Sequence, residues 1–340
     1  MTINEIAKLA NTSRGTVDRV INKRGKVSKE VEARVTRILN ETGYLDAHEG
    51  KILSLSNRKI LVSVIIASMN NTFFDYILKG IKESLSTLYR YSGIDLEIFK
   101  VKLFDDASIL DALNKISTKS RLLMISSYGN QTIIKKVQSL NIPVICMSLD
   151  VNFKNKIGYA GCNFFNSGEL AADMVNVLAT SNSKVALFLG SFIHPGHSER
   201  LLGFKSAVNK DIPLLEPIET FDDDEIGYFR TKKILNEDPD VIVYFGGGMI
   251  GGLKAIKEHP KKVKVITVDE IPEVIEGLKT GLISASVSQH PFKQGKECAK
   301  IAYDYLVNGK REVVNKRVNC SLIMKDTILP YELKGENKNG

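Results

Sequence analysis

Arg14, Arg19 and Asn22 lie close together in the stretch Ser13-Arg14-Gly15-Thr16-Val17-Asp18-Arg19-Val20-Ile21-Asn22. Such side chains read base edges: Arg is the usual bidentate partner of guanine and Asn of adenine. A second polar set is spread along the rest of the chain. Asp150 and Asp269 each follow an apolar run, Gln289 follows Ala285-Ser286-Val287-Ser288, and Asn71-Thr72-Phe73-Phe74 follows the first run of all. Carboxylates placed after strands accept paired hydrogen bonds from vicinal hydroxyls, and a glutamine supplies both a donor and an acceptor. An Asn with two aromatic neighbours offers its amide to hydroxyls and its rings to the C–H face of a sugar. Phe73 and Phe74 would serve equally well as core at the start of a helix.

Neither set has a catalytic pattern. The five histidines (His48, His194, His197, His259, His290) show no H-E-x-x-H or H-x-H spacing, and no G-x-S-x-G elbow is present. His197 with Asp150 would make an acid–base pair only if the fold brought them together. Asp222-Asp223-Asp224 reads more simply as a charged loop than as a metal site. The run Gly246-Gly247-Gly248-Met249-Ile250-Gly251-Gly252 lacks the Lys-Ser/Thr of a phosphate cradle and the spacing of a dinucleotide fingerprint, so it reads as a close-packed strand-to-helix turn. The four cysteines are scattered without a C-x-x-C pair, and Cys146 and Cys162 sit in apolar surroundings as small core residues. No enzyme, cofactor or metal is expected.

Three helices must position the first set. Thr2-Ile3-Asn4-Glu5 has the form of a capping box, opening a helix that buries Ile3, Ile6, Ala7 and Ala10. Asn11-Thr12 then makes a tight turn, since Asn tolerates a left-handed backbone. Ser13 caps a second helix whose Val17, Val20 and Ile21 face the first, leaving Arg14, Gly15, Asp18, Arg19 and Asn22 outward. After a basic loop, Ser28 caps a third helix with Val31, Val35, Ile38 and Leu39 on one stripe, and Gly43 ends it. Such a trio forms a helix-turn-helix core; the alternative is a small bundle that binds protein. Charge favours nucleic acid. Residues 1–60 hold twelve Lys or Arg against seven Asp or Glu, so +5 of the chain's +8 falls there.

From Lys59 apolar strands alternate with amphipathic helices. Strands are expected over 60–67, 96–104, 122–126, 143–148, 184–190, 241–245, 263–268 and 284–289, with helices between them, as over 73–88, 167–179, 225–235 and 292–307. This alternation implies parallel sheets covered on both faces, and eight or more strands over roughly 270 residues imply two such units. The longest apolar runs are strand-length, no signal peptide precedes them, and a cytoplasmic protein without membrane contact is expected.

The string from Thr2 to Ala10, then Ser13 to Asn22, Val27-Ser28 and Gly43-Tyr44, resembles the headpiece of lactose-repressor (LacI/GalR-type) regulators. The resemblance implies that Ser13, Arg14, Gly15, Thr16 and Arg19 form the DNA-facing part of the headpiece, with Asn22 near the backbone, and that a homodimer binds a palindromic double-stranded operator. Leu53 matches the leucine such proteins wedge into the minor groove. The Pro-Asn that usually follows Gly-Tyr is missing, and Gly50 stands in the hinge. Residues 59–335 resemble a type I periplasmic-binding-protein body, two α/β lobes joined by three crossings, placed near Tyr159–Cys162, Ser288–Pro291 and Cys320–Met324. The implied division is a headpiece over 1–46, a hinge over 47–58, lobe 1 over 59–160 and 290–320, lobe 2 over 161–289 and 321–335, and a disordered tail over 336–340.

The same likeness places Asn71, Phe73, Phe74, Asp150, Asp269 and Gln289 around a ligand between the lobes. Gly196-His197-Ser198-Glu199-Arg200-Leu201-Leu202-Gly203-Phe204 resembles the family's cleft helix. Ser198 stands where a ligand-gripping Arg is common, which leaves His197 or Ser198 to do a weaker job, and Arg200 holds a second, structural Arg position. Gly246 replaces a usual Asn, and Phe221 matches an aromatic that stacks on ligand. Together these imply a DNA-binding transcriptional regulator, a repressor of carbohydrate-utilisation genes that senses a sugar or sugar derivative. A non-sugar effector such as a nucleobase, or a solute-binding protein of the same fold, are the alternatives. The tail lacks a heptad, which favours a dimer over a tetramer.

Overall fold

The computed structural model describes residues 2–21, 27–44, 59–69, 71–102 and 105–328. Asn22, Leu53, the hinge at 47–58 and the tail at 336–340 lie outside the described residues.

The N-terminal unit contains α1 (Ile3–Leu9), α2 (Arg14–Ile21) and α3 (Lys29–Glu41). Helices this short do not persist alone in water, so caps and mutual burial must hold them. The capping box at α1 is complete: the Thr2 N–H donates to Glu5 Oε2 at 2.7 Å, and the Glu5 N–H donates to Thr2 Oγ1 at 3.3 Å. Asn11 takes φ 44° in the turn. Ser13 Oγ accepts from the Thr16 N–H at 3.1 Å, and Ser28 Oγ from the Val31 N–H at 3.4 Å. Ile6, Ala7, Ala10, Val17, Val35, Ile38 and Leu39 form one buried cluster, flanked by Ile3, Val20, Ile21, Val31 and Tyr44. Arg34 Nε donates to the Ala10 carbonyl at 2.9 Å, tying α3 to the end of α1.

The second unit is built on two six-stranded sheets. One holds β1 (Ile60–Ile66), β2 (Ile94–Lys100), β3 (Leu122–Ile125), β4 (Val144–Met147), β5 (Lys156–Cys162) and β11 (Val314–Val318), in the order β11-β5-β4-β3-β1-β2. The other holds β6 (Val185–Leu189), β7 (Ile218–Glu219), β8 (Val241–Tyr244), β9 (Lys264–Val268), β10 (Ala285–Ser288) and β12 (Ser321–Ile323), in the order β12-β10-β9-β8-β6-β7. In the first sheet β1, β3, β4, β5 and β11 pair in parallel, and in the second only β12 runs antiparallel, against β10. The central strands are apolar because helices cover both faces.

The chain passes between the sheets three times. It leaves β5 for α7 (Phe164–Leu178), whose Ala171, Ala172 and Val175 pack on Val185, Leu187 and Val243 of the second sheet. It leaves β10 for α12 (Pro291–Leu306), which packs on α4 (Thr72–Thr87) beside the first sheet. Finally it steps from β11 to β12.

Four strands exceed the sequence expectation: β5, β7, β11 and β12. β7 and β12 are only two and three residues long, and β5, Lys-Ile-Gly-Tyr-Ala-Gly-Cys, is broken by two glycines that weaken its strand signal. Val-Asn-Lys-Arg-Val of β11 lies at a sheet edge with its middle three residues exposed, so no apolar run marks it. The strand expected over 96–104 instead runs Ile94–Lys100.

Candidate functional site

On the headpiece, Ser13, Arg14, Gly15 and Arg19 are exposed at one end and face of α2, and Thr16 is half-buried. Ser13 Oγ and Thr16 Oγ1 are 2.9 Å apart, so these two hydroxyls also stitch the start of the helix. A Cβ added at Gly15 would meet only Ser13 Oγ, at 3.8 Å. The headpiece's own packing therefore does not demand glycine there, although a helix pays for it.

In the larger unit a cleft opens at the carboxyl ends of the strands, as doubly wound sheets place their ligands. It has two chambers that share Asn71, Asp222, Gly247 and Asp269. The inner one, about 40 Å³, is lined also by Phe73, Phe74, Phe164, His197, Arg200 and Gln289. The outer one, about 300 Å³, reaches Ser68, Met69, Asp75, Asp224, Ile271 and Glu273.

Asn71 caps α4, its Oδ1 accepting from the Phe73 N–H at 3.0 Å. The residue lines both chambers. Phe73 and Phe74 are buried, pack edge to face on each other at 5.2 Å, and line the inner chamber. They are core and wall at once.

Asp269 follows β9 with φ 77°. Burial raises its carboxyl above the ordinary carboxylate value, opposed by Arg200 and by the amide of Gln289, which donates to it. Gln289 is 5% exposed and its Oε1 accepts from Cys162 Sγ at 2.9 Å.

The cleft helix, α8 (Pro195–Ala207), departs from expectation. Ser198 does not line either chamber; its Oγ donates back to the Phe192 carbonyl at 3.0 Å. Two residues on, Arg200 points the opposite way, as 3.6 residues per turn require. It is 2% exposed, lies over the Phe164 ring at 5.2 Å, and donates to Ser167 Oγ and the Phe245 carbonyl. A guanidinium thus lines the inner chamber after all. His197 accepts the Ser191 N–H on Nδ1 at 3.0 Å and stacks on His194 at 4.0 Å. Burial, with the neighbouring His194 and Arg200, holds His197 well below 6.5, so the ring is neutral with its proton on Nε2.

Phe221 lies outside both chambers: it is 48% exposed and stacks under Arg230 at 5.2 Å. Its neighbour Asp222 takes the place. Consecutive left-handed residues, φ 55° and 53°, turn the ring outward and the carboxyl inward. Asp222 Oδ1 accepts from the Gly247 N–H at 2.6 Å, while Oδ2 is buried without a partner. Burial, with Asp269 nearby, pushes this carboxyl up to about 6. The acidic run is therefore no plain loop. Asp223 caps α9 (Asp224–Leu235) by accepting the Ile226 N–H at 2.9 Å, and Asp224 accepts from the Gly251 N–H at 3.3 Å. Gly246 lines the inner chamber, and Gly248, at φ 80°, begins α10 (Met249–Glu258), with Thr220 Oγ1 donating to the Gly247 carbonyl at 2.6 Å. This is the close-packed turn expected of the glycine run.

Asp150 is elsewhere. It lines a separate cavity of about 230 Å³ with Tyr159, Glu199 and Arg317, and pairs with Lys156 at 2.7 Å. That cavity does not include His197, so the acid–base pair is not assembled. Among the described residues no group of three or more His, Cys, Asp or Glu could hold a metal ion, and no helix is long and apolar enough to cross a membrane.

Residues 2–46 match the family model described as bacterial regulatory proteins, lacI family, and residues 62–311 match that of a periplasmic binding protein domain. The chain belongs to the lacI family of bacterial regulatory proteins. Catabolite control protein A of Streptococcus mutans is 22% identical over 281 residues, covering 79% of this chain and 81% of that one. The HTH-type transcriptional regulator CelR of Thermobifida fusca is 21% identical over 340 residues, covering 96% of this chain and 98% of its own. Among solved structures, GanP, a glucose-galactose binding protein from Geobacillus stearothermophilus, superposes with a TM-score of 0.70 at 21% identity, covering 81% of this chain and all of GanP. This likeness gives the lacI-family body its fold: two parallel-sheet lobes of the periplasmic-binding type.

Proposed function

We propose that this lacI-family regulator represses carbohydrate-utilisation genes by binding a palindromic operator as a homodimer in the cytoplasm, and that a sugar or sugar derivative in the cleft controls it. Residues 1–46 read DNA through Arg14, Gly15, Thr16 and Arg19, with Asn22 at the backbone. Residues 47–58 are the hinge, with Leu53 as a minor-groove wedge. Residues 59–335 sense the effector. The observation that carries the reading is the pairing, in one chain, of an outward basic face on α2 with a cleft whose polar groups suit hydroxyls. Asn71, His197 Nε2 and Arg200 offer donors, while Asp222 and Asp269 offer acceptors. The relatives named as transcriptional regulators, and GanP as a sugar binder, support each half.

Ligand acts by linkage. It closes the lobes, shifts the dimer about its first lobes and alters the hinge, which requires a difference in affinity between two states commonly worth about 1–3 kcal/mol. Selection of genomic fragments by the purified full chain, at near-physiological salt, tests this. A palindromic motif near sugar-utilisation genes is the expected result. Recovery of only sequence-independent, salt-sensitive binding would overturn the operator reading.

A further inference from the structure

The charge of the cleft is lopsided. Asp75, Asp222, Asp224, Asp269 and Glu273 line the outer chamber, and no Lys or Arg does. The one guanidinium nearby, Arg200, belongs to the inner chamber. Of the five carboxylates Asp75 alone has an ion-pair partner among the described residues, Lys100 at 2.9 Å. Asp224 and Asp269 are satisfied by neutral donors. Two buried polar atoms of residues that line this chamber have no hydrogen-bond partner among the described residues: Asp222 Oδ2 and the hydroxyl of Ser68, a residue only 7% exposed. Met69, Met249 and Ile271 supply apolar wall. The half-buried Asp222 and Asp269 stand at the inner wall of this chamber, and Asp224 and Glu273 at its exposed rim.

A neutral polyol would satisfy some of those oxygens and leave the charge. Once ligand displaces water, each uncompensated carboxylate is desolvated, which is costly. A primary ammonium supplies three donors and one positive charge in a compact group. No cluster suits a metal ion among the described residues, so the cation is organic. The inner chamber, with Asn71, His197 Nε2, Arg200 and Gln289, still suits hydroxyls and a ring oxygen. We propose that the effector is an amine-bearing polyol, an amino sugar in its ammonium form, whose ammonium is received by Asp222 with Ser68 and Asp269 as further acceptors. This rests on the reading of the cleft as the effector site.

Calorimetric titration of the full chain near pH 7.5 tests it, using matched pairs: D-glucosamine against D-glucose, D-galactosamine against D-galactose, D-mannosamine against D-mannose. N-acetylated forms of the three amines serve as capped controls. At least one free amine should bind ten-fold or more tightly than both its neutral twin and its acetylated form. Asp222→Asn should erase most of that advantage, and Ser68→Ala, which removes a named acceptor, should reduce it several-fold, which keeps the test open if the first variant folds poorly. A neutral or acetylated sugar binding as tightly as the amine overturns the ammonium proposal and leaves the sugar site standing. Binding by none of these sugars overturns both.

Discussion

Asp222 is held with one oxygen on the Gly247 N–H and the other buried without a partner, and its carboxyl is pushed up to about 6 from 3.8. A carboxyl raised on folding contributes stability that is fully present below its unfolded value and is lost as pH rises through its folded value. Between about pH 4 and 6 the native state therefore loses roughly 1.4 kcal/mol per pH unit at this one group, or about 3 kcal/mol in all by neutral pH. Asp222→Asn keeps the acceptor for Gly247 and removes the charge. The variant should match the parent near pH 4 and exceed it by up to about 3 kcal/mol at pH 7.5. The chain has no Trp, so far-UV circular dichroism in urea is the direct assay. With a denaturant slope of about 3 kcal/mol/M, the midpoint should rise by about 1 M at pH 7.5 and hardly at all at pH 4. A midpoint difference independent of pH, or an Asn variant weaker than the parent at neutral pH, would refute the reasoning. The same logic says why a cationic ligand suits this cleft: it stabilises a carboxylate that the empty protein ionises at a cost.

Gly15→Ala should stabilise the headpiece by about 0.5–1 kcal/mol, since nothing in its own fold crowds the new methyl. If the backbone at Gly15 approaches DNA closely, the same change should weaken operator binding in a mobility-shift titration; unchanged affinity would show that the glycine has no part in contact. Arg19→Ala should cost specific binding about 1–3 kcal/mol while binding to random DNA changes less, and equal losses on both would remove Arg19 from base reading. Asp269→Asn tolerates the left-handed backbone and should abolish the effector's influence on operator affinity while operator binding alone survives. A variant that still responds at the parental effector concentration would remove Asp269 from the cleft's function.

The features legible in the sequence are those fixed within a few residues. The Thr2–Glu5 box, the Asn11 turn and the Ser28 cap each depend on groups three or fewer positions apart, and all are present as read. Inner strands such as β1 announce themselves because both faces are buried from Val62 to Ile66. The cleft was harder to read because side-chain direction there is decided from afar. Arg200 is turned inward by Ser167 on α7 and the Phe245 carbonyl after β8, neither of them near it in the chain. Asp222 lines both chambers, and Phe221 faces solvent, because two successive residues adopt positive φ against a glycine turn some twenty-five positions later. A run of three aspartates carries no sign that its members divide into a cleft carboxylate, a helix cap and a tie between helices.

The passages between the two lobes are not independent of the cleft. Gln289, the first residue after β10, donates to Asp269 at the end of β9 and accepts from Cys162 at the end of β5, while Gln294 of α12 donates to its carbonyl at 2.9 Å. His290, at φ 51°, reaches the third passage through Ser321 Oγ at 2.9 Å. One amide thus links a carboxylate that lines the cleft to two crossings, and its neighbour links it to the last. A hydrogen bond to a charged group contributes about 1.5–3 kcal/mol, the same size as a typical allosteric coupling of about 1–3 kcal/mol. A ligand that takes over Asp269 from Gln289 therefore exchanges enough free energy, at the point where the lobes join, to bias their relative setting without any larger rearrangement of either sheet.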